Sequence, residues 1–109
     1  MKCLVKYTVN LRCEASSKKE AESLLKPRVN RLKAFCVAFG FSMSTICESY
    51  VPGSGEGKKF GADYLFSYEI YRECEFRLVY TITTAVQFLA DLDVFEVTNE
   101  KMELLQNED

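Results

Sequence analysis

The chain has 109 residues, of which 48% are hydrophobic and 13% aromatic, and its formal net charge is −2. This composition excludes a disordered polypeptide and predicts one packed domain, which can bury about two-thirds of its unfolded surface. No apolar run approaches the roughly 18 residues of a membrane span, so we expect no membrane-crossing helix.

The charges are distributed unevenly along the chain. Residues 1–40 carry nine Lys or Arg and three Glu, whereas residues 41–109 carry five Lys or Arg and thirteen Asp or Glu. Such a split is typical either of a basic binding surface or of two halves of one domain that attract each other. The placement of the strands has to decide between the two.

Residues 2–14 alternate between apolar and polar side chains, which predicts a half-buried strand. The inward face carries Cys3, Val5, Tyr7, Val9, Leu11 and Cys13. The other face is polar, with Leu4 as its exception. Because Lys6 and Arg12 interrupt this segment, it is not a signal peptide, and we expect a cytoplasmic protein.

Residues 17–40 predict a long helix. Ser17 and Glu20 have the spacing of a capping box, apolar residues recur at helical spacing, and Gly40 is a suitable left-handed stop. Pro27 lies inside the segment, but the apolar phase continues through it, so we expect a kinked and continuous helix. We expect Arg28 to lie along the edge of the core with its head in water.

The next segments predict a strand at 41–51 and a glycine-rich connector at 52–63. The connector is not a phosphate-binding loop, because Gly53 and Gly57 have three residues between them and Lys58 is followed by Lys59. Residues 64–82 alternate without a break except at Arg72. They predict either one strongly bent strand or a hairpin with a three-residue loop at Tyr71–Glu73.

The last part of the chain predicts a short helix and a short strand. Thr84 and Gln87 form a second capping-box pattern at the start of the helix. Residues 93–98 predict the final strand, and residues 99–109 are a polar, acidic tail. We therefore expect a single domain at 1–98.

The predicted order is βαββαβ, which resembles the ferredoxin-like superfold, an antiparallel sheet with a long kinked helix and a short helix on one face. The resemblance implies an α+β fold in which the first and third strands are central neighbours. Lys2, Lys6 and Arg12 would then share the open face with Glu69, Glu73 and Glu75. This arrangement favours charge pairing within the domain over a separate basic surface.

The RNA-recognition motif has the same fold, and two segments approach its signatures. Tyr7-Thr8-Val9-Asn10-Leu11 keeps the Asn-Leu ending, with Thr8 at an aliphatic position. In Lys58-Lys59-Phe60-Gly61-Ala62-Asp63, the residues Lys58, Phe60 and Gly61 match and the other three do not. The resemblance is too incomplete to identify that family, although binding of nucleic acid by the basic half stays open.

The sequence offers little for catalysis or metal binding. It contains no histidine, and its five cysteines are neither clustered nor spaced as Cys-x-x-Cys. Cys13, beside Arg12, is the one faint candidate for a nucleophile, and its inward phase argues against that role. We expect no enzyme activity, no cofactor and no metal.

We expect instead an interaction module that acts through protein–protein contacts, the simplest being a homodimer formed through the open sheet face. The predicted interface residues are Leu4, Leu65, Tyr71 and Val79, exposed apolar side chains rimmed by charge. The alternative is RNA or DNA binding through Lys19, Lys26, Arg31, Lys33, Lys58 and Lys59.

Overall fold

A computed structural model describes residues 1–51, 62–93 and 95–105. The strands are β1 (Lys2–Ala15), β2 (Ser42–Val51), β3 (Ala62–Glu75) and β4 (Glu96–Leu104). The helices are α1 (Lys18–Phe39) and α2 (Val79–Asp93), and a 3-10 turn at Phe76–Leu78 precedes α2. Within these residues the chain is an α+β protein with a four-stranded antiparallel sheet, and neither helix is long and apolar enough to cross a membrane.

The sheet is built on a central pair of long strands. Its order is β2-β3-β1-β4, and β1 pairs with β3 from Lys2↔Glu75 to Ala15↔Ala62 without a register shift. The strand predicted at residues 2–14 is therefore confirmed. β2 pairs with β3 toward the Asp63 end, and β4 pairs with β1 toward the Lys2 end. The molecule is elongated, with extents of 60 × 21 × 19 Å.

The core lies between one face of the sheet and both helices. Its main members are Cys3, Val5, Tyr7, Val9 and Leu11 of β1, Tyr64, Phe66, Tyr68, Ile70 and Cys74 of β3, Ala21, Leu25, Leu32 and Cys36 of α1, and Ile82, Val86 and Ala90 of α2. Full burial of a Leu or Ile side chain stabilises a fold by about 1.5–3 kcal/mol. The alternation of β1 and β3 therefore determines which face of the sheet the helices cover.

α1 begins and ends where the sequence predicts. The Ser17 hydroxyl accepts a hydrogen bond from the Glu20 amide at 3.1 Å, while the Glu20 carboxylate accepts one from the Ser16 hydroxyl and does not complete a capping box. Gly40 has φ +74°, and its amide donates to the Cys36 carbonyl. The helix continues through Pro27, and the kink expected there stays a prediction.

Two arginines of α1 bind the C-terminal end of α2. Arg28 Nε donates to the Asp93 carbonyl at 2.8 Å, and its guanidinium lies 5.5 Å from the centre of the Phe95 ring. Arg31 Nε donates to the Asp93 carboxylate at 2.5 Å. Cations are stabilising there because the last carbonyls of a helix carry partial negative charge. The head of Arg28 therefore binds a helix end, whereas the sequence predicts it in water.

The long alternation at residues 64–82 covers two different elements, so neither the bent strand nor the hairpin is correct. β3 ends at Glu75, which pairs with Lys2. The Phe76 amide still donates to the Met1 carbonyl, and the chain then turns through Phe76–Leu78 into α2. The apolar residues after Glu75 therefore belong to a helix that packs against the core.

α2 begins at Val79, five residues before the predicted start at Thr84. Thr84 lies inside the helix, where its hydroxyl donates to the Tyr80 carbonyl at 2.8 Å, so the second capping box is wrong. Ile82, Val86 and Ala90 are buried at a spacing of four. The sequence therefore contains both patterns around Ile82: the period of two that ends there and the spacing of four that begins there.

β4 is longer than predicted. The strand continues through residues 99–104, paired with β1, so the predicted tail is wrong over that range; residues 106–109 lie outside the described residues. The ladder shifts between Lys6↔Lys101 and Thr8↔Thr98, where Asn99 has φ +52°. This is a β-bulge, and Asn is among the residues that tolerate its left-handed conformation.

β2 confirms the second predicted strand. Its register shifts between Thr45 and Cys47, which makes Ile46 an extra, 53% exposed residue and explains the loose alternation there. Of the predicted connector at 52–63, residues 52–61 lie outside the described residues, and Ala62 and Asp63 already belong to β3.

We expect Gly40→Ala to lower the free energy of unfolding by about 1–2 kcal/mol, because an L-residue is strained in the left-handed region. A Cβ at this position meets Arg72 Nη1 at 3.7 Å, an ordinary contact, so the loss does not come from a clash. Urea unfolding measures the change. Gly40→Asn is the control and should lose less; equal losses would contradict a backbone origin.

Candidate protein-binding face

Among the described residues, both helices pack on one side of the sheet and leave the other side uncovered. We call this side the open face. Its side chains are Lys2, Leu4, Lys6, Thr8, Asn10, Arg12 and Glu14 of β1, Asp63, Leu65, Ser67, Glu69, Tyr71, Glu73 and Glu75 of β3, Ser42, Ser44 and Cys47 of β2, and Glu96, Thr98, Lys101 and Glu103 of β4.

Three of the four predicted interface residues lie on the open face. Leu4, Leu65 and Tyr71 are each partly exposed, and all three belong to the central strands. Leu4 is opposite Glu73, and Tyr71 is opposite Lys6, so Leu4 and Tyr71 are diagonal neighbours about 7–8 Å apart. A depression of about 300 Å³ adjoins them, lined by Leu4, Lys6, Lys101, Met102 and Glu103.

Val79 does not lie on the open face, and its predicted role there is wrong. It is the first residue of α2 and packs against the core. The error follows from extending the alternation of β3 beyond Glu75, which assigned residue 79 an outward strand phase.

The open face brings the basic and acidic halves of the chain together. β1 contributes Lys2, Lys6 and Arg12, whereas β3 contributes the carboxylates of Asp63, Glu69, Glu73 and Glu75. Lys2 is directly opposite Glu75, and Arg12 lies 4.0 Å from the Glu96 carboxylate of β4. Part of the charge asymmetry seen in the sequence is therefore the asymmetry of two adjacent strands.

A row of polar hydrogen bonds crosses the middle of the open face. The Ser67 hydroxyl donates to Asn10 Oδ1 at 2.5 Å, and Asn10 Nδ2 donates to the Thr98 hydroxyl at 3.1 Å. The row joins β3, β1 and β4 through side chains. It fixes the polar centre of the face between the Leu4–Tyr71 end and the Leu65 end.

The predicted nucleic-acid residues do not form one surface with the open face. Lys19, Lys26 and Lys33 are exposed along α1, on the helix side of the molecule. Arg31 is on the same helix and is bound to Asp93. Lys58 and Lys59 lie outside the described residues.

Tyr7, the aromatic residue of the β1 segment that approaches an RNA-recognition signature, points into the core and not toward the open face. Tyr7 is 2% exposed, and its hydroxyl is 2.6 Å from that of Thr83. Such motifs stack bases on aromatic rings of the exposed sheet. Along β1 and β3, the outward aromatic residue is Tyr71.

Three cysteines, Cys13, Cys36 and Cys74, have a raised thiol pKa, which is the opposite of an activated thiol. Burial raises the pKa of Cys36 to about 11, and it raises the pKa of Cys13 despite the opposing charge of Arg28. Cys3 and Cys74 are both buried, with their sulfur atoms 3.7 Å apart. Burial is also the main cause of the raised pKa of Cys74. Within the described ranges, no group of three or more Cys, Asp or Glu side chains is placed to hold a metal ion.

The sequence did not predict the exposed apolar residues of α2. Tyr80 is 83% exposed, and Phe88 and Leu92 are each 65% exposed. They follow one another at helical spacing on the outer side of the helix. A helix that begins at Val79 would have predicted their exposure. Ile82, Val86 and Ala90 form its buried side, so Tyr80, Phe88 and Leu92 must lie on the opposite side.

Comparisons with known proteins give no family. No protein-family profile matches the chain, and no curated protein sequence matches it. Among solved structures, the de novo designed protein Ferredog-Diesel is similar, with 14% sequence identity, coverage of 91% of this chain and 84% of the design, and a TM-score of 0.37.

Because burial raises the pKa of Cys36 from 9.0 to about 11, we expect its contribution to stability to depend on pH. Below pH 9.0 the thiol keeps its proton in both states. Between pH 9.0 and about pH 11, the thiol is ionised in the unfolded chain and still protonated in the folded chain, so the free energy of unfolding falls as pH rises. Urea unfolding at about pH 8 and about pH 10 should show a larger loss for the wild type than for Cys36→Ala. Equal losses would contradict the assignment.

Proposed function

We propose that this chain is a small, non-enzymatic module that binds another protein molecule through the open face, the simplest partner being a second copy. The observation that carries this proposal is the placement of Leu4, Tyr71 and Leu65, partly exposed on the central strands and surrounded by charged side chains. Apolar surface with a polar rim is typical of protein interfaces.

We also infer that the fold is ferredoxin-like. The order of elements along the chain and the central position of β1 and β3 support this inference. Because one fold can carry many unrelated functions, the functional argument rests on the open face alone.

A non-enzymatic role in the cytoplasm is supported by two properties of the side chains. The sequence has no histidine, the usual general base near neutral pH. All five cysteines are free, as is usual for proteins of a reducing compartment.

We expect Leu4→Glu combined with Tyr71→Glu to weaken self-association at least about thirtyfold, since two apolar contacts are lost and the new carboxylate at position 4 lies beside Glu73 and Glu103. Sedimentation velocity over a concentration series measures this. Val37→Glu combined with Tyr80→Glu is the matched control: it adds the same charge at positions 85% and 83% exposed on the helices. A wild-type monomer at high micromolar concentration, or loss of association in the control alone, would overturn the proposal.

Nucleic-acid binding is the alternative, and the exposed stripe of Lys19, Lys26 and Lys33 supports it. Under that hypothesis, fluorescence anisotropy at low salt should detect binding of RNA or DNA that weakens steeply as salt rises. Changing the three lysines to Glu should abolish it, whereas the Leu4 and Tyr71 changes should have little effect. Under our proposal, no such binding occurs and the lysine variant still self-associates.

A further inference from the structure

The open face has a charge pattern that fits a copy of itself, and this inference rests on the function proposed above. Three of the four ionisable side chains that β1 presents are cations, Lys2, Lys6 and Arg12. All four charged side chains that β3 presents are carboxylates, Asp63, Glu69, Glu73 and Glu75. The cations of the open face therefore lie mainly on β1, and the anions of the central pair lie mainly on β3.

We propose that two copies stack face to face about a two-fold axis that runs parallel to the strands, between β1 and β3. This axis lays β1 of each copy over β3 of the other. The basic strand then meets the acidic strand twice, once on each side of the axis, as an isologous contact requires. A two-fold axis perpendicular to the strands at the level of Leu4 would lay β1 over β1, and it would place Lys2 over Lys6 and Glu73 over Glu73 of the second copy.

The same axis brings the apolar residues of both copies together. Leu4 and Tyr71 are diagonal neighbours across the line between β1 and β3, so four side chains, two from each copy, gather around the axis. Tyr71 of one copy then lies above Lys6 of the other, beside the depression lined by Leu4, Lys6, Lys101 and Glu103. A tyrosine filling a pocket with a cation beneath its ring is a common anchor of protein interfaces.

The outer strands agree with this arrangement. The axis lays Glu96, Thr98 and Lys101 of β4 over β2 of the second copy, whose outward residues at the same levels, Ser42, Ser44 and Cys47, carry no charge. Glu103 lies beyond the start of β2. One like-charge pair arises, between Glu14 and Asp63, at the end of the sheet remote from Leu4. Both residues lie near one end of the central strands, where water and salt weaken the repulsion.

The size of the face also favours a second copy as the partner. A four-stranded sheet is about 19 Å wide and a 14-residue strand about 46 Å long, so the face offers roughly 800 Å² at most. A stable interface needs about 800 Å² from each partner. The partner must therefore cover nearly the whole sheet, and another sheet of the same outline does so.

Charge reversal on one strand at a time tests the arrangement. The β1 variant carries Lys2→Glu and Lys6→Glu, and the β3 variant carries Glu73→Lys and Glu75→Lys. Each variant alone places like charges between the copies, so its dimer dissociation constant should rise at least about tenfold. A one-to-one mixture of the two variants, and a single chain with all four changes, should return to within about threefold of the wild type.

Each variant also places like charges side by side within its own sheet, and that repulsion persists in the mixture. Recovery of association in the mixture therefore reports charge contacts between the two copies. Circular dichroism confirms that each variant is folded. If neither single variant weakens the dimer and the mixture binds more tightly than the wild type, β1 lies over β1 and the proposed axis is wrong. If the wild type dimerises and no charge change matters, the axis is wrong while the open face can still stand on the Leu4 and Tyr71 result. A wild-type monomer overturns both proposals.

Discussion

The pairing of β1 with β3 is the constraint on which the rest of the structure depends. Both strands are 14 residues long and pair from end to end. A shift of one residue in either strand would turn its buried side chains toward water, so the register and the core determine each other.

Elements whose signals are local were predictable from the sequence. β1 follows from its period of two, and α1 follows from Ser17, from its apolar spacing and from Gly40, all within or beside the element. The outward positions of Leu4, Leu65 and Tyr71 follow from the same period of two. For these residues, it is enough to know that the element is a strand, because side chains of a strand alternate between the two faces of the sheet.

Features that depend on a distant strand were not predictable in this way. The alternation after Glu75 continues in the sequence, but the strand does not, and the chain turns into α2, whose Ile82, Val86 and Ala90 pack against the core. The polar residues after Thr98 lack the apolar pattern of a strand, yet β1 has free backbone groups there and pairs with them. The misplacement of Val79 has the same origin, since a side chain has an outward strand phase only while its strand exists.

The two edge strands each contain a bulge, at Ile46 in β2 and at Asn99 in β4. A bulge bends its strand and increases the local twist, so neither edge is the straight row of donors and acceptors that an incoming strand requires. Strand addition at an edge leaves a new edge after every step and has no natural end point, which is how fibrils grow. The bulges therefore make both edges poor templates for strand addition and so oppose fibril growth.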